Sequence, residues 1–282
     1  MYEQDVLTSI YHQMTWEEIQ KAAEERRPVV IPIGATEQHG RHLPVCTDWF
    51  LPSRILRQAS RSRNFLVGPE LAFGYRSRPG SGGGQHFPGT LSLRATTLMA
   101  LIEDVLLELI RGGFTSLVLY NWHYENAGFI YEPAFTVSAM HPEVKIVVIE
   151  DPMPAFTRED QDALWPEGFP GLALEHAAVI ETSLWMYHEP SGVRTERLAH
   201  DSPERVVRHD VLPIDRSMST ASGSLSSPVG ASAAKGELIT QRLVDRFVEV
   251  LDEEFPDLAT LESGKPGQLQ ASSAQPAATS PI

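Results

Sequence analysis

Short apolar runs alternate with long amphipathic segments along most of this 282-residue chain, and this alternation limits its fold more than any other feature. Three runs, RPVVIPIG, FTSLVLYN and KIVVIED, have the length and the β-branched content of buried strands. Segments with helical periodicity lie between them. Strands that alternate with helices form parallel sheets with helices on both faces. The sequence therefore predicts an α/β fold with a mostly parallel sheet.

Capping and stop signals mark the helices. Thr15 and Glu18 have the spacing of a capping box and predict a helix that ends near Arg26. The segment 95–113 is apolar at helical spacing and ends in two glycines, which indicates a long helix. Another helical segment contains Pro52, which suits a first turn better than an interior. A second extended stretch is expected over 65–73, and further helices over 127–140, 174–187 and 233–255.

Length and composition indicate one domain with a tail. A chain of this length can bury a large core, and we expect residues 1–258 to form a single α/β domain. From residue 259 the chain consists mainly of Gly, Ser, Pro, Gln and Ala, which predicts a disordered and dispensable tail over 259–282.

The charge and the absence of certain segments exclude several classes of partner. The net charge of −14 argues against nucleic acid, because phosphates require a basic face. No apolar stretch is long enough for a membrane span, and the first residues lack the features of a secretory signal. The lone Cys46 excludes an internal disulfide. These observations predict a cytoplasmic protein with no nucleic-acid or membrane partner.

Two segments that follow predicted strands carry the residues suited to chemistry. GATEQHGRHLPVCTDW contains Glu37, His39 and Asp48, and YNWHYEN contains His123 and Glu125. Residues two apart in an extended segment project to the same side. In α/β sheets, ligands bind beyond the carboxyl ends of the strands. We therefore expect all five side chains to converge at that edge.

The chemistry of these five residues indicates a metal centre. Two imidazoles and three carboxylates suit zinc or manganese. Two divalent ions and a bridging hydroxide would balance the three negative charges, and such a pair activates water and polarises a carbonyl. A polar loop without metal is the alternative, because each Glu-x-His motif by itself is weak.

The motifs PIGATEQHGRHLP, SGGGQHFPGTLSL, NWHYEN and PEGFPGLALEH resemble those of the creatininase family of metal-dependent amidohydrolases over roughly residues 15–255. The resemblance implies a three-layer α/β/α domain, a two-metal centre and a homohexamer. It assigns Glu37 and His123 to one metal, His39 and Glu125 to the other, and Asp48 as the bridge.

The resemblance also implies catalytic residues beyond the metal ligands. His176 matches a histidine credited with proton transfer to the leaving nitrogen, and Glu175 is its neighbour, while Glu125 also counts as catalytic. Without the resemblance, Glu175 reads as a helix-start carboxylate and His176 as a helix-surface histidine.

The substrate pocket differs from that of creatininase. The two positions that hold its flanking tryptophans are Pro152 and Leu172 here, and Trp122 replaces the usual glycine before His123. These differences predict an altered pocket. The substrate-binding residues expected from sequence are Ser81, Trp122, Tyr124, Pro152 and Leu172.

We therefore expect a hydrolase of carbon–nitrogen bonds other than peptide bonds, in which a two-metal-bridged hydroxide attacks a small amide, preferably a cyclic lactam, imide or ureide. A formamide hydrolase of the same family is one alternative. A phosphoesterase that uses Arg41, Arg76 and Arg78 is another. A non-enzymatic homologue stabilised by metal is the third.

Overall fold

The structure is a computed structural model that describes residues 9–78, 80, 84–201, 205 and 209–258. Four parallel strands form one sheet in the order β2-β1-β3-β4. Their bounds are Val29–Ile33 for β1, Leu66–Val67 for β2, Ser116–Asn121 for β3 and Lys145–Ile149 for β4. The predicted tail over 259–282 lies outside the described residues.

Alternate residues of the central strands point into two separate cores, as the period of a strand requires. Val30 and Val118 pack in one apolar cluster, whereas Ile31 and Leu119 pack in the other. Helices cover both faces, so the predicted three-layer α/β/α architecture is confirmed.

Seven α-helices are present in the described part of the chain. They are α1 (Trp16–Glu24), α2 (Thr47–Ala59), α3 (Ala95–Arg111), α4 (Ala127–Met140), α5 (Arg158–Leu164), α6 (Val179–His188) and α7 (Ala233–Glu254). The predicted capping box before α1 forms, because Thr15 accepts from the backbone of Glu18 and the Glu18 side chain accepts from Thr15 in return. No helix among the described residues is long and apolar enough to cross a membrane.

Two sequence-based expectations about helices are wrong. Pro52 lies inside α2 and not in its first turn, because the helix begins at Thr47. The helix predicted over 174–187 begins only at Val179. Ala177, just before it, has a φ of 53°, a left-handed conformation that continues no α-helix. This break places the preceding residues in a loop.

Candidate metal centre

The polar segments that follow β1 and β3 meet at one edge of the sheet. Glu37 and His39 follow β1, and His123 and Glu125 follow β3. The two strands pair in register up to their last residues, so the segments leave the sheet side by side. All four side chains are buried. The structure thus brings together residues that are more than eighty positions apart in the sequence.

Asp48 reaches this edge from the first turn of α2. The helix approaches the end of β1 so closely that a side chain at Gly34 would overlap the carbonyl group of Asp48. Pro52 lies four residues further along α2 and has no N–H to donate to that carbonyl. Gly34 therefore allows the close approach that places the buried Asp48 carboxylate against the strand ends.

The first group of donors consists of Glu37, Asp48 and His123. His123 Nδ1 lies 3.1 Å from Asp48 Oδ2 and 3.3 Å from Glu37 Oε2. The other ring nitrogen, Nε2, lies 3.0 Å from the carbonyl oxygen of Tyr75, to which it can donate its proton. This hydrogen bond leaves the lone pair of Nδ1 directed at the two carboxylates, the orientation that a metal-ligating histidine needs.

The second group consists of His39, Asp48 and Glu181. His39 Nε2 lies 2.9 Å from Asp48 Oδ1 and 3.5 Å from Glu181 Oε1. His39 Nδ1 lies 3.0 Å from the carbonyl oxygen of Glu37, so this imidazole is also held by a backbone acceptor at its rear. Asp48 belongs to both groups and offers one carboxylate oxygen to each. The resemblance assigns the bridging role to this same residue.

The resemblance predicts Glu125 as the partner of His39, whereas the structure brings Glu181, a residue that no sequence motif singled out, to 3.5 Å from His39 Nε2. The structure places Glu125 Oε2 3.5 Å from His123 Nε2, on the side of that ring facing away from the first group. Glu181 comes from the first turn of α6, and its second oxygen accepts the backbone N–H of Ala177 at 2.7 Å. A carboxylate inside the apolar run AAVIETSLW was the available signal, because an unpaired buried charge is costly.

The donor groups have the chemistry of a divalent metal site. Glu37 Oε2, His39 Nε2 and Asp48 Oδ2 are buried, and none of them makes a hydrogen bond of good geometry within the described structure, although His39 Nε2 lies only 2.9 Å from Asp48 Oδ1. Oxygen and imidazole lone pairs that face one another in a buried site require a cation between them. Carboxylate oxygens with imidazole nitrogens suit zinc and manganese. These residues therefore fit a divalent metal.

In the metal-free state the carboxylates of the centre favour protonated, positively charged forms of His39 and His123. Burial lowers the pKa of both imidazoles, but the surrounding carboxylates more than offset this effect. They raise the pKa of His123 to about 10 and that of His39 well above its usual value. Burial raises the pKa of Asp48, yet His39 and His123 hold it well below its usual range. Protons on the two imidazoles thus supply charge that metal ions would otherwise bring.

Glu175 and His176 lie beside the donor groups, in the loop before α6. The pattern of the sequence by itself predicts His176 on the surface of a helix, and this expectation is wrong. Glu175 is buried, and its carboxylate accepts from Trp165 Nε1 at 2.6 Å and from the backbone N–H of Ile180 at 3.1 Å. The second contact caps α6 from outside the helix. Burial raises the pKa of Glu175 to about 7.

His176 lies close to Glu37 and His39. Its Nδ1 lies 4.0 Å from Glu37 Oε2, and its ring centroid lies 4.4 Å from that of His39. Its Nε2 lies 2.9 Å from Nε2 of Gln38. Glu37, His39 and His176 consequently form a third group with metal-ligand spacing.

An inner cleft opens beside these groups, and a larger outer cavity adjoins it. The inner cleft is lined by three of the donor residues, Asp48, His123 and Glu181. Four residues predicted to bind substrate line it as well: Trp122, Tyr124, Pro152 and Leu172. Ser81, the fifth, lies outside the described residues. Tyr124, Glu125, Glu150 and Leu172 line both spaces.

Comparison with known proteins identifies the family. The creatininase family model, described as creatinine amidohydrolase, matches residues 12–251. Creatinine amidohydrolase of Pseudomonas putida is 38% identical over 256 residues, covering 86% of this chain and 96% of the relative. A mycofactocin precursor peptide peptidase of Mycobacterium tuberculosis is 30% identical over 242 residues, covering 78% and 82%. The chain belongs to the creatininase family of amidohydrolases, and the predicted hydrolase class is confirmed.

Solved structures agree with this assignment. A crystal structure of creatininase superposes with a TM-score of 0.85 at 36% identity and covers 88% of this chain and 98% of that one. A zinc–zinc form of a glutamate-to-glutamine variant of creatininase and a manganese form of creatininase each reach 0.84 at 36% identity, and cover 88% of this chain with 98% and 99% of theirs.

Proposed function

We propose that the protein is a metal-dependent hydrolase of a small amide, preferably a cyclic one, that holds two divalent ions per chain, zinc, manganese or one of each. The observation that carries the proposal is the orientation of His39 and His123. Each imidazole faces a backbone carbonyl at its rear and directs its other nitrogen toward carboxylates of the centre. The zinc and manganese forms of creatininase support the choice of metals.

The residues of the two donor groups would hold one ion each. Glu37, Asp48 and His123 would bind the first, and His39, Asp48 and Glu181 the second. In this arrangement Glu181 takes the place that the sequence analysis gave to Glu125. Two bound ions supply a water of lowered pKa and polarise the substrate carbonyl.

Three further residues would handle protons. His176 would donate to the departing nitrogen, because it borders both the donor residues and the inner cleft. Glu175, the neighbour of His176, would relay protons to or from that histidine. Its pKa of about 7 suits this role, since a group with a pKa near the working pH is the most effective general acid or base. Glu125 lines the cleft beside His123 and would accept a proton at its carboxylate.

The charge of the inner cleft favours an amide over a phosphate ester. The cleft is lined by five carboxylate residues and, within the described structure, by no lysine or arginine: Asp48, Glu125, Glu150, Glu175 and Glu181. Arg76 and Arg78 line only the outer cavity, and Arg41 donates to the carbonyl of Ala221 at 3.2 Å. Two metal ions alone could serve either reaction, but the carboxylates that line the rest of the cleft would repel the remaining negative charge of a phosphate ester, whereas an amide is neutral.

A homo-oligomer, with a hexamer expected from the resemblance, is part of the same proposal. Apolar side chains are widely exposed on the described surface, including Phe135 at 67% and Leu91 at 56%. Phe135 lies beside the exposed Tyr131, with ring centroids 6.2 Å apart, and apolar residues grouped on a surface mark interfaces. Light scattering during size-exclusion chromatography tests this, and a monomer at micromolar concentration would contradict it.

Turnover of small amides by metal-loaded protein tests the function. The probes are creatinine, hydantoin, dihydrouracil, a γ-lactam and a formamide, each with zinc-loaded and with manganese-loaded protein. We expect hydrolysis of at least one probe, and its loss in Asp48→Asn but not in Asp151→Asn, an exposed aspartate at the outer cavity. Metal-loaded protein that hydrolyses none of them, or an Asp48→Asn variant of undiminished activity, would contradict the proposal.

A further inference from the structure

A buried carboxylate oxygen lies in the substrate cleft outside the donor groups. Glu150 directly follows β4, and its Oε2 is buried and has no hydrogen-bond partner within the described structure. Burial, the charge of the Glu150 carboxylate and a hydrogen bond to it raise the pKa of Tyr131. The phenol thus supplies one neutral donor to the carboxylate, and no lysine or arginine faces it within the described inner cleft. A buried acceptor without a partner costs free energy unless a ligand supplies the donor.

The position of Glu150 connects this oxygen with substrate binding. Glu150 is one of the residues shared by the inner cleft and the outer cavity, together with Glu125 and Leu172. A molecule whose amide reaches the metal donors would therefore place its remaining atoms beside Glu150. The described lining of the inner cleft contains no lysine or arginine, and Arg76 and Arg78 line only the outer cavity. Inside the inner cleft, a positive partner for Glu150 therefore has to come from the bound molecule.

We propose that Glu150 is a specificity-determining residue that binds a cationic N–H group of the substrate, so that the protein selects basic amides. Ammonium, amidinium and guanidinium groups share this chemistry, because each offers charged N–H donors to one carboxylate. The inference rests on the proposed amidohydrolase function for the amide, but the recognition of the basic group is independent of turnover.

Calorimetric binding to the zinc-loaded protein tests this recognition. The probes are α-amino-γ-butyrolactam, which is cationic at neutral pH, and its α-hydroxy analogue, which is neutral. Glu150→Gln keeps the shape of the side chain and removes its charge. Asp151→Asn is the matched control, because Asp151 is exposed and lines only the outer cavity.

We expect Glu150→Gln to weaken binding of the amino-lactam by about tenfold or more, with a change of less than about twofold for the hydroxy-lactam and for either probe with Asp151→Asn. Equal weakening of both probes, or an amino-lactam that does not bind the wild-type protein, would overturn the proposal. Absence of amide turnover with selective binding intact would count against the catalytic function alone.

An independent inference concerns Gln38, whose side chain has its orientation fixed by two backbone groups. Its Oε1 accepts the N–H of Gly40 at 3.0 Å, and its Nε2 donates to the carbonyl of Gly223 at 2.9 Å. Gly223 has a φ of +93°, and a side chain there would overlap Gln38. The amide plane is therefore held with Nε2 facing His176.

We infer that Gln38 is a positioning residue that fixes the tautomer of His176. Because Gln38 Nε2 carries only hydrogens, the His176 Nε2 at 2.9 Å has to accept, and the ring proton resides on Nδ1. Nδ1 is the nitrogen that faces Glu37. A metal-bound Nδ1 carries no proton, so this tautomer removes His176 from the third candidate metal group and leaves it as a proton donor toward the centre.

Nitrogen-15 spectra of histidine-labelled, zinc-loaded protein report the tautomer through the two-bond proton couplings of each ring. His176 is identified by the signals missing from His176→Asn. We expect the proton on Nδ1 in the wild type and on Nε2 in Gln38→Glu, in which a carboxylate oxygen replaces the donor. Gln38→Met, which removes the donor without adding charge, should give a mixture of tautomers.

Zinc content and the melting temperature of each variant show that the centre remains assembled. A wild-type protein with the proton on Nε2, or with Nδ1 bound to zinc, would overturn the inference. An unchanged tautomer in both folded variants would overturn it as well.

Discussion

Replacing Gly34 by alanine should weaken the metal centre without changing any of its ligands. The new Cβ would overlap the carbonyl group of Asp48 and lie 2.6 Å from the backbone nitrogen of Trp49. Both neighbours are backbone, so no side-chain rotation can relieve the contact, and the first turn of α2 has to move away from β1. Overpacking of this kind costs about 1–3 kcal/mol. In a domain of this size each kcal/mol lowers the melting temperature by roughly 2–4 °C.

The same displacement moves the Asp48 carboxylate, which both donor groups share. A shift at a shared ligand should lower zinc affinity by about 10–100-fold, the range found when residues that orient metal ligands are changed. Competition with a fluorescent chelator measures that affinity, and calorimetry measures the melting temperature of the metal-free protein.

Gly128→Ala in α4 is the matched control. A Cβ at Gly128 meets no atom within 4 Å, and alanine favours a helix by up to about 1 kcal/mol over glycine. This variant should therefore match or exceed the wild type in stability and bind zinc equally well. If Gly34→Ala behaves like Gly128→Ala in both assays, the account of how Asp48 is positioned is refuted.

Three further predictions concern the charges of the centre. Zinc binding should release protons from His39 and His123, which calorimetry in buffers of different ionisation enthalpy measures; binding without proton release would contradict their raised pKa values. The pKa of His123 is about 10 in the folded, metal-free protein and about 6.5 in the unfolded chain. The protonated imidazole therefore stabilises the folded state fully below about pH 6.5, and this stabilisation is lost as the pH rises through about 10. Chelator-treated protein should thus lose free energy of unfolding over that range, whereas zinc-loaded protein should not. Glu181→Gln should lower the zinc content by about one ion per chain by elemental analysis, because it removes a charged donor from one group only; unchanged content would exclude Glu181 as a ligand.

The fold and the convergence of four of the five residues in the two donor groups could be predicted, because they depend largely on local patterns. Strands and helices alternate visibly, and parallel strands bring their carboxyl ends to one edge. Glu37 and His123 follow such ends directly, so their meeting needs no knowledge of loop geometry. The capping box at Thr15 is equally local, since it depends on two side chains three residues apart.

The position of Glu181 beside His39 could not be predicted in this way, because it depends on where α6 begins. If the helix began near Glu175, the Glu181 side chain would point in a different direction. The left-handed backbone at Ala177 that prevents this cannot be predicted from sequence, because alanine rarely adopts that conformation. The position of Pro52 within its helix was predicted wrongly for a related reason. The carbonyl of Asp48, to which Pro52 has no N–H to donate, packs against Gly34, a tertiary contact that the helical pattern does not contain.

The most direct test of the central claim is the metal content of protein purified without chelator, measured by elemental analysis for the wild type and for Asp48→Ala. Because Asp48 offers one oxygen to each donor group, its removal affects both ions at once. We predict about two divalent ions per chain in the wild type and loss of both in the variant. Wild-type protein that neither contains zinc or manganese nor acquires them, or a variant that retains both ions, would contradict it.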